Sequence, residues 1–167
     1  MTKHHSPVTL ATVAESSICA TLQYYMRPDR SPDDCSTLCT AARLDFGGAP
    51  VGGALTVQAT DETLASSCPV NCGREAELLH DWACELTNLL VGALKQALRS
   101  YGVMLALKTP GNVCASTPQR RSGEKKNLVV KHGGFVVIVS FDGDAPIPLT
   151  EDPNDPSEVG SGGVVFF

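Results

Sequence analysis

The chain has 167 residues, 43% of them apolar, 19% charged and 5% aromatic, with a formal net charge of −5. A single domain of this size buries about 70% of the surface its unfolded chain exposes, so it needs no staple to fold. The acidic balance argues against a nucleic-acid binder, since counterion release on nucleic acid needs clustered Lys and Arg. No apolar run approaches the roughly 20 residues of a membrane helix. The polar start, residues 1–7, lacks signal-peptide character, and the expected compartment is the cytoplasm.

In chain order, residues 10–26 mix apolar and small side chains and read as helix, and residues 27–34, with two Pro, read as loop. Residues 40–46 and 51–59 alternate around Gly47-Gly48-Ala49-Pro50, a β-hairpin signal. Thr60-Asp61-Glu62 offers an N-cap and an acidic first turn for a short helix ending near Cys68-Pro69. Residues 75–101 form the strongest element, a long helix with Gly102 as its stop. Residues 103–107 read as a strand ahead of Thr109-Pro110-Gly111, and residues 128–131 and 135–141 as a hairpin across Gly133-Gly134. This order predicts an α+β fold, an antiparallel-rich sheet with long helices packed on one face. One domain is expected over residues 1–149 and a flexible tail over 150–167, whose apolar end, residues 164–167, could add a strand.

The seven Cys, at 19, 35, 39, 68, 72, 84 and 114, include two C-x3-C pairs that could form a four-thiolate zinc site. Structural zinc more often uses C-x2-C knuckles, and the expectation is reduced thiols with no metal. Arg120, Arg121, Lys125 and Lys126 lie among Ser, Gly and Gln and read as a solvated loop. His4, His5, His80 and His132 are scattered and carry no assigned chemistry.

On a helical wheel of the long helix, Leu79, Trp82, Ala83, Leu86, Leu90, Ala93 and Ala97 gather on one side as the expected core stripe. Asp81, Glu85, Asn88 and Gly92 fall opposite it, in a strip about 60° wide, with Arg99 continuing the line and Lys95 beside it. Polar residues on an outer helix face usually mean no more than solvation. Here Asn88 and Gly92 are both poor helix formers, and Gly costs about 1 kcal/mol against Ala in a helix interior. A glycine on an open face lets another backbone approach closely. Glu85 and Asn88, three apart, project side by side. The strip reads as a docking face.

These residues resemble the signature of the CheX/CheC/FliY chemotaxis phosphatases: an acidic or Ser residue, three others, Glu, two others, Asn, then about 21 residues and a Pro. It appears here as Asp81, Glu85, Asn88 and Pro110, and the text from Glu85 through Gly92 to Lys95 is most similar to the CheX branch. The resemblance spans residues 10–141, and its specific part is residues 81–113. It implies a CheC-like fold and, as substrate, the aspartyl phosphate of a CheY-like receiver domain. Asn88 would be the catalytic residue that orients water, and Glu85 the anchor on the receiver's lysine. Asp81, Gly92, Lys95 and Arg99 would contact the partner, and Pro110 would be structural. Helix N-terminal electrostatics could equally account for Asp81. The resemblance further implies no cofactor of the chain's own, Mg²⁺ supplied by the receiver, and a homodimer. Two rivals remain beside this expectation: a non-catalytic receiver-binding module, and a structural component like the flagellar switch proteins.

Overall fold

The computed structural model describes residues 8–25, 40–48, 51–70, 75–107 and 126–142. Within them the chain forms α1 (Leu10–Tyr25), β1 (Thr40–Gly47), β2 (Gly52–Ala59), α2 (Asp61–Ser67), α3 (Ala76–Arg99), β3 (Ala106–Leu107), β4 (Lys126–His132) and β5 (Phe135–Asp142). The order is the one the sequence patterns predict. The strands pair antiparallel in the order β3-β1-β2-β5-β4.

Alternation fixes which face of the sheet is buried, because successive strand side chains point to opposite faces. The register aligns Leu44, Leu55, Val139 and Leu128 in one row across four strands. A second row sets Phe46 opposite Gly53 and Gly53 opposite Phe141. Since Gly53 has no side chain, the two phenyl rings meet across β2, with centroids 6.3 Å apart in edge geometry. The helices cover this face: α3 packs on β1 and β2, α1 on α3 and β4, and α2 on α3. The opposite face carries the Arg43–Asp45 ion pair at 2.9 Å and the exposed Val129.

Local chemistry sets the element ends. The Thr60 hydroxyl accepts from the Thr63 N–H at 3.2 Å, capping α2 as predicted. Gly102 adopts φ +71°, its N–H donates to the Arg99 carbonyl, and the Val103 N–H donates to Leu98, the paired bonds of a Schellman closure. Gly133 and Gly134 both have positive φ, as the tight β4–β5 turn requires.

Two expectations are corrected. The strand predicted over residues 103–107 is only Ala106–Leu107. The strand β1 ends at Gly47, opposite Ala106, so the earlier residues of that run have no ladder to join; Val103 and Leu105 are buried without strand pairing. The expectation of reduced thiols holds for Cys19 and Cys84, which are free, but Cys68 is disulfide-bonded. Compartment chemistry sets which redox form persists; whether two sulfurs come within bonding reach is set by the fold. The tail beyond residue 149, the basic cluster at 120–126 and the loop at 27–34 fall outside the described residues or side chains.

Candidate functional site

Helix α3 is long because its interior is rich in Leu and Ala, with no β-branched run to slow it. Its buried face holds Leu79, Trp82, Ala83, Leu86, Thr87, Leu90, Val91, Leu94 and Leu98. The expected stripe is therefore right in the first half of the helix and displaced in the second. Ala93 and Ala97 are only half-buried, while Thr87, Val91, Leu94 and Leu98 are fully inside. Burial follows the rows Ala83-Thr87-Val91 and Leu86-Leu90-Leu94-Leu98, four residues apart, and such rows wind round the helix as it advances. Thr87 enters the core because its hydroxyl donates to the Ala83 carbonyl at 2.7 Å, which leaves no polar group unpaired.

The opposite face is open as predicted. Asp81, Glu85, Lys95 and Arg99 are exposed, and Asn88 and Gly92 are half-buried. At spacings of three and four residues, neighbouring side chains on this strip have Cβ atoms about 5–6 Å apart. Charge along it is sorted: both carboxylates lie in the first half of α3, both cations in the second, and the neutral Asn88 and Gly92 between them. Asp81 stands beyond the first turn, where the helix dipole fades, so N-terminal electrostatics do not explain it. Among the described residues, a Cβ placed on Gly92 would meet nothing within 4 Å, so their packing does not require glycine there. Pro110 lies outside the described residues.

Behind the strip, Trp82 is the hub of three helices. Its indole N–H donates to the Ser67 hydroxyl of α2 at 2.9 Å, and that hydroxyl donates to the Leu64 carbonyl at 2.9 Å. Its ring takes the Tyr25 ring of α1 edge-on, with centroids 5.5 Å apart and planes at 65°. Burial, then Tyr24, then the Glu85 carboxylate push the Tyr25 phenol above its ordinary value, which places that phenol in the field of Glu85. Tyr25 thus borders the site with Tyr24 packed against it, and the sequence reading missed both. The signal available was a pair of adjacent tyrosines closing α1 in a chain with 5% aromatic residues.

Among the described residues, nothing else near the strip is set up for nucleophilic chemistry. Cys84 Sγ lies 3.7 Å from His80 Nε2, but burial first and Asp81 second push its thiol above the ordinary value. Such a thiol is mostly protonated at neutral pH, and the thiolate is the reactive form. Among the described residues no group of three or more His, Cys, Asp or Glu could hold a metal ion, and no helix is long and apolar enough to cross a membrane.

An antiparallel five-stranded sheet carrying α1 and the long α3 on one face is the CheC-like fold, and the chain has that fold. It is similar to the chemotaxis protein CheX from Vibrio vulnificus, with a TM-score of 0.58 and 16% identity over 83% of this chain and 99% of that one. It is also similar to a structure of the CheX–CheY–BeF3–Mg²⁺ complex from Borrelia burgdorferi, with a TM-score of 0.55 and 13% identity over 78% of this chain and 96% of that one. A CheC-like superfamily protein from Shewanella sp. PV-4 gives a TM-score of 0.58 and 17% identity over 83% and 100%. No family model and no curated protein matches the chain. Likeness at these identities establishes the fold; function has to be argued from the site.

Proposed function

We propose that this chain docks on the phosphorylated receiver domain of a CheY-like response regulator and hydrolyses its aspartyl phosphate. The observation that carries this reading is the outward placement of Glu85 and Asn88, three residues apart on the open face of α3, within a CheC-like fold. The likeness to a CheX solved together with CheY, BeF3 and Mg²⁺ supports the choice of partner.

The chemistry suits a sparse site. An acyl phosphate is already labile, and the receiver brings Mg²⁺ and a lysine of its own. The remaining task is to hold a water in line with the phosphorus, so that the P–O bond to the aspartyl group breaks as the bond to water forms. The products are a free aspartate carboxylate and inorganic phosphate. An amide can both donate to and accept from that water, and it adds no negative charge beside the phosphoryl group, so Asn88 takes this role by positioning. Glu85 pairs with the receiver's lysine, a charge-assisted bond that anchors the insertion. Asp81, Gly92, Lys95 and Arg99 complete the contact surface. The chain supplies no nucleophile and no metal of its own, and it works as a cytoplasmic homodimer.

The test is phosphate release from a phosphorylated receiver in Mg²⁺ buffer by wild type, Asn88→Ala and Glu85→Ala. Acceleration that survives Asn88→Ala sinks the mechanism. The openness of Gly92 favours docking whether or not chemistry follows. A wild-type chain that binds the receiver without accelerating release is therefore a binding module.

A further inference from the structure

The α3 strip is bordered at its Glu85 end by the C-terminal end of α1. Tyr24 there is 77% exposed, more than any other large apolar side chain among the described residues. Its ring meets the Tyr25 ring edge-on at 5.1 Å and 81°, and Tyr25 meets Trp82 in turn. Three rings therefore run from the core to solvent, each fixing the next. An aromatic side chain held this way is pre-organised, and little freedom is lost when a partner covers it. Leu78, 42% exposed, stands one turn before Trp82 and widens the apolar margin.

Glu85 stands one turn after Trp82, close enough to Tyr25 for its charge to act on the phenol. The corner is thus apolar and negative at once. Ring faces and carboxylates both attract cations, and neither favours an anion.

We propose that Tyr24 and Tyr25, together with Glu85, form the corner of the docking face that receives a cationic side chain of the receiver. The partner's lysine or arginine lays its apolar stem along the Tyr24 ring while its charge meets the Glu85 carboxylate. This inference rests on the proposed function and gives that reading's partner a second contact on a different helix. Tyrosine and arginine dominate the few contacts that carry most binding energy. Tyr25 positions Tyr24 through their ring contact, and Tyr24 makes the contact with the partner.

The experiment titrates the full chain with CheY-like receivers in BeF3 and Mg²⁺, the Borrelia burgdorferi CheY among them, and reads affinity by calorimetry. Tyr24→Ala is expected to weaken binding about tenfold with an unchanged melting temperature, since the side chain is mostly in solvent. Tyr24→Phe keeps the ring and should stay within about twofold of wild type. Receiver binding that Glu85→Ala weakens and Tyr24→Ala leaves intact overturns this inference alone. A wild-type chain that binds none of the receivers overturns the proposed function and this inference with it.

Discussion

The indole N–H of Trp82 donates to the hydroxyl of Ser67 at 2.9 Å, which ties the end of α2 to α3, the helix of the proposed docking face. Both residues are buried. In Ser67→Ala the indole donor stays in the core without an acceptor, at a cost of about 1–3 kcal/mol. The melting temperature should fall accordingly. Emission from Trp82, the chain's only tryptophan, should shift as its environment relaxes.

Gly92 separates stability from docking. A Cβ there touches none of the described residues, so Gly92→Ala should raise stability by about 1 kcal/mol, from helix propensity alone. Gly92→Leu should fold equally well but hold a receiver off the strip, weakening binding at least about tenfold. Urea denaturation and receiver titration on the same two variants check both halves.

Gly53 has the opposite character. A Cβ at that position would collide with the Ser140 carbonyl oxygen and press on the Phe46 ring at 3.1 Å. Gly53→Ala should therefore open β2 from β5 and part the Phe46–Phe141 pair, destabilising the domain by about 1–3 kcal/mol despite adding apolar volume. Thermal unfolding measures this directly.

Asn88→Asp is the sharpest chemical variant, because it preserves shape and changes charge. A carboxylate beside a phosphoryl group repels it, and ionised it cannot donate to the attacking water. Phosphate release should drop by about 10²-fold or more, the scale at which positioning effects act, while thermal stability is retained.

Alkaline pH should weaken the fold. Burial, with Asp81, raises the Cys84 thiol; burial, with Glu15, raises Cys19; and burial, with Tyr24 and Glu85, raises Tyr25. In each the neutral form is favoured in the folded chain. A group whose folded value is raised contributes stability that is whole below its unfolded value and lost as pH rises through the folded one. Ordinary values here are 9.0 for Cys and 10.0 for Tyr. Urea midpoints should agree between about pH 7 and 8 and decline only above about pH 9, modestly because these groups are partly exposed.

Most of the fold was legible because each strand or helix announced itself by period and punctuation. Thr60 marked a helix start, Gly102 a stop, and Gly133-Gly134 a turn, and all three perform those jobs. The open strip on α3 was legible for the same reason. What the wheel could not give was the winding of burial along α3, which put Leu94 and Leu98 inside and left Ala93 half out. A fixed 100° wheel averages over the helix, whereas packing follows rows four residues apart that change partner as they rise. The pairing of Tyr24 and Tyr25 stood in the sequence, but the place where they pack did not, for a different reason. The link of Tyr25 to Trp82 and Glu85 joins two separate helices, and no local pattern encodes such a meeting. The cut-short strand β3 likewise depends on where β1 ends, a fact of pairing that lies in another segment.

The sorting of charge along α3 sets a direction. A partner lying along the helix from Asp81 and Glu85 toward Lys95 and Arg99 must offer positive groups first and negative groups last. Turned end for end, it meets like charge at both extremes, and such juxtaposition costs several kcal/mol (on the order of 2–5) in an interface. Two approaches that would bury the same area are thereby made unequal. On the proposed docking, the chain would tell the head of its partner from its tail before any side chain near Asn88 is in place.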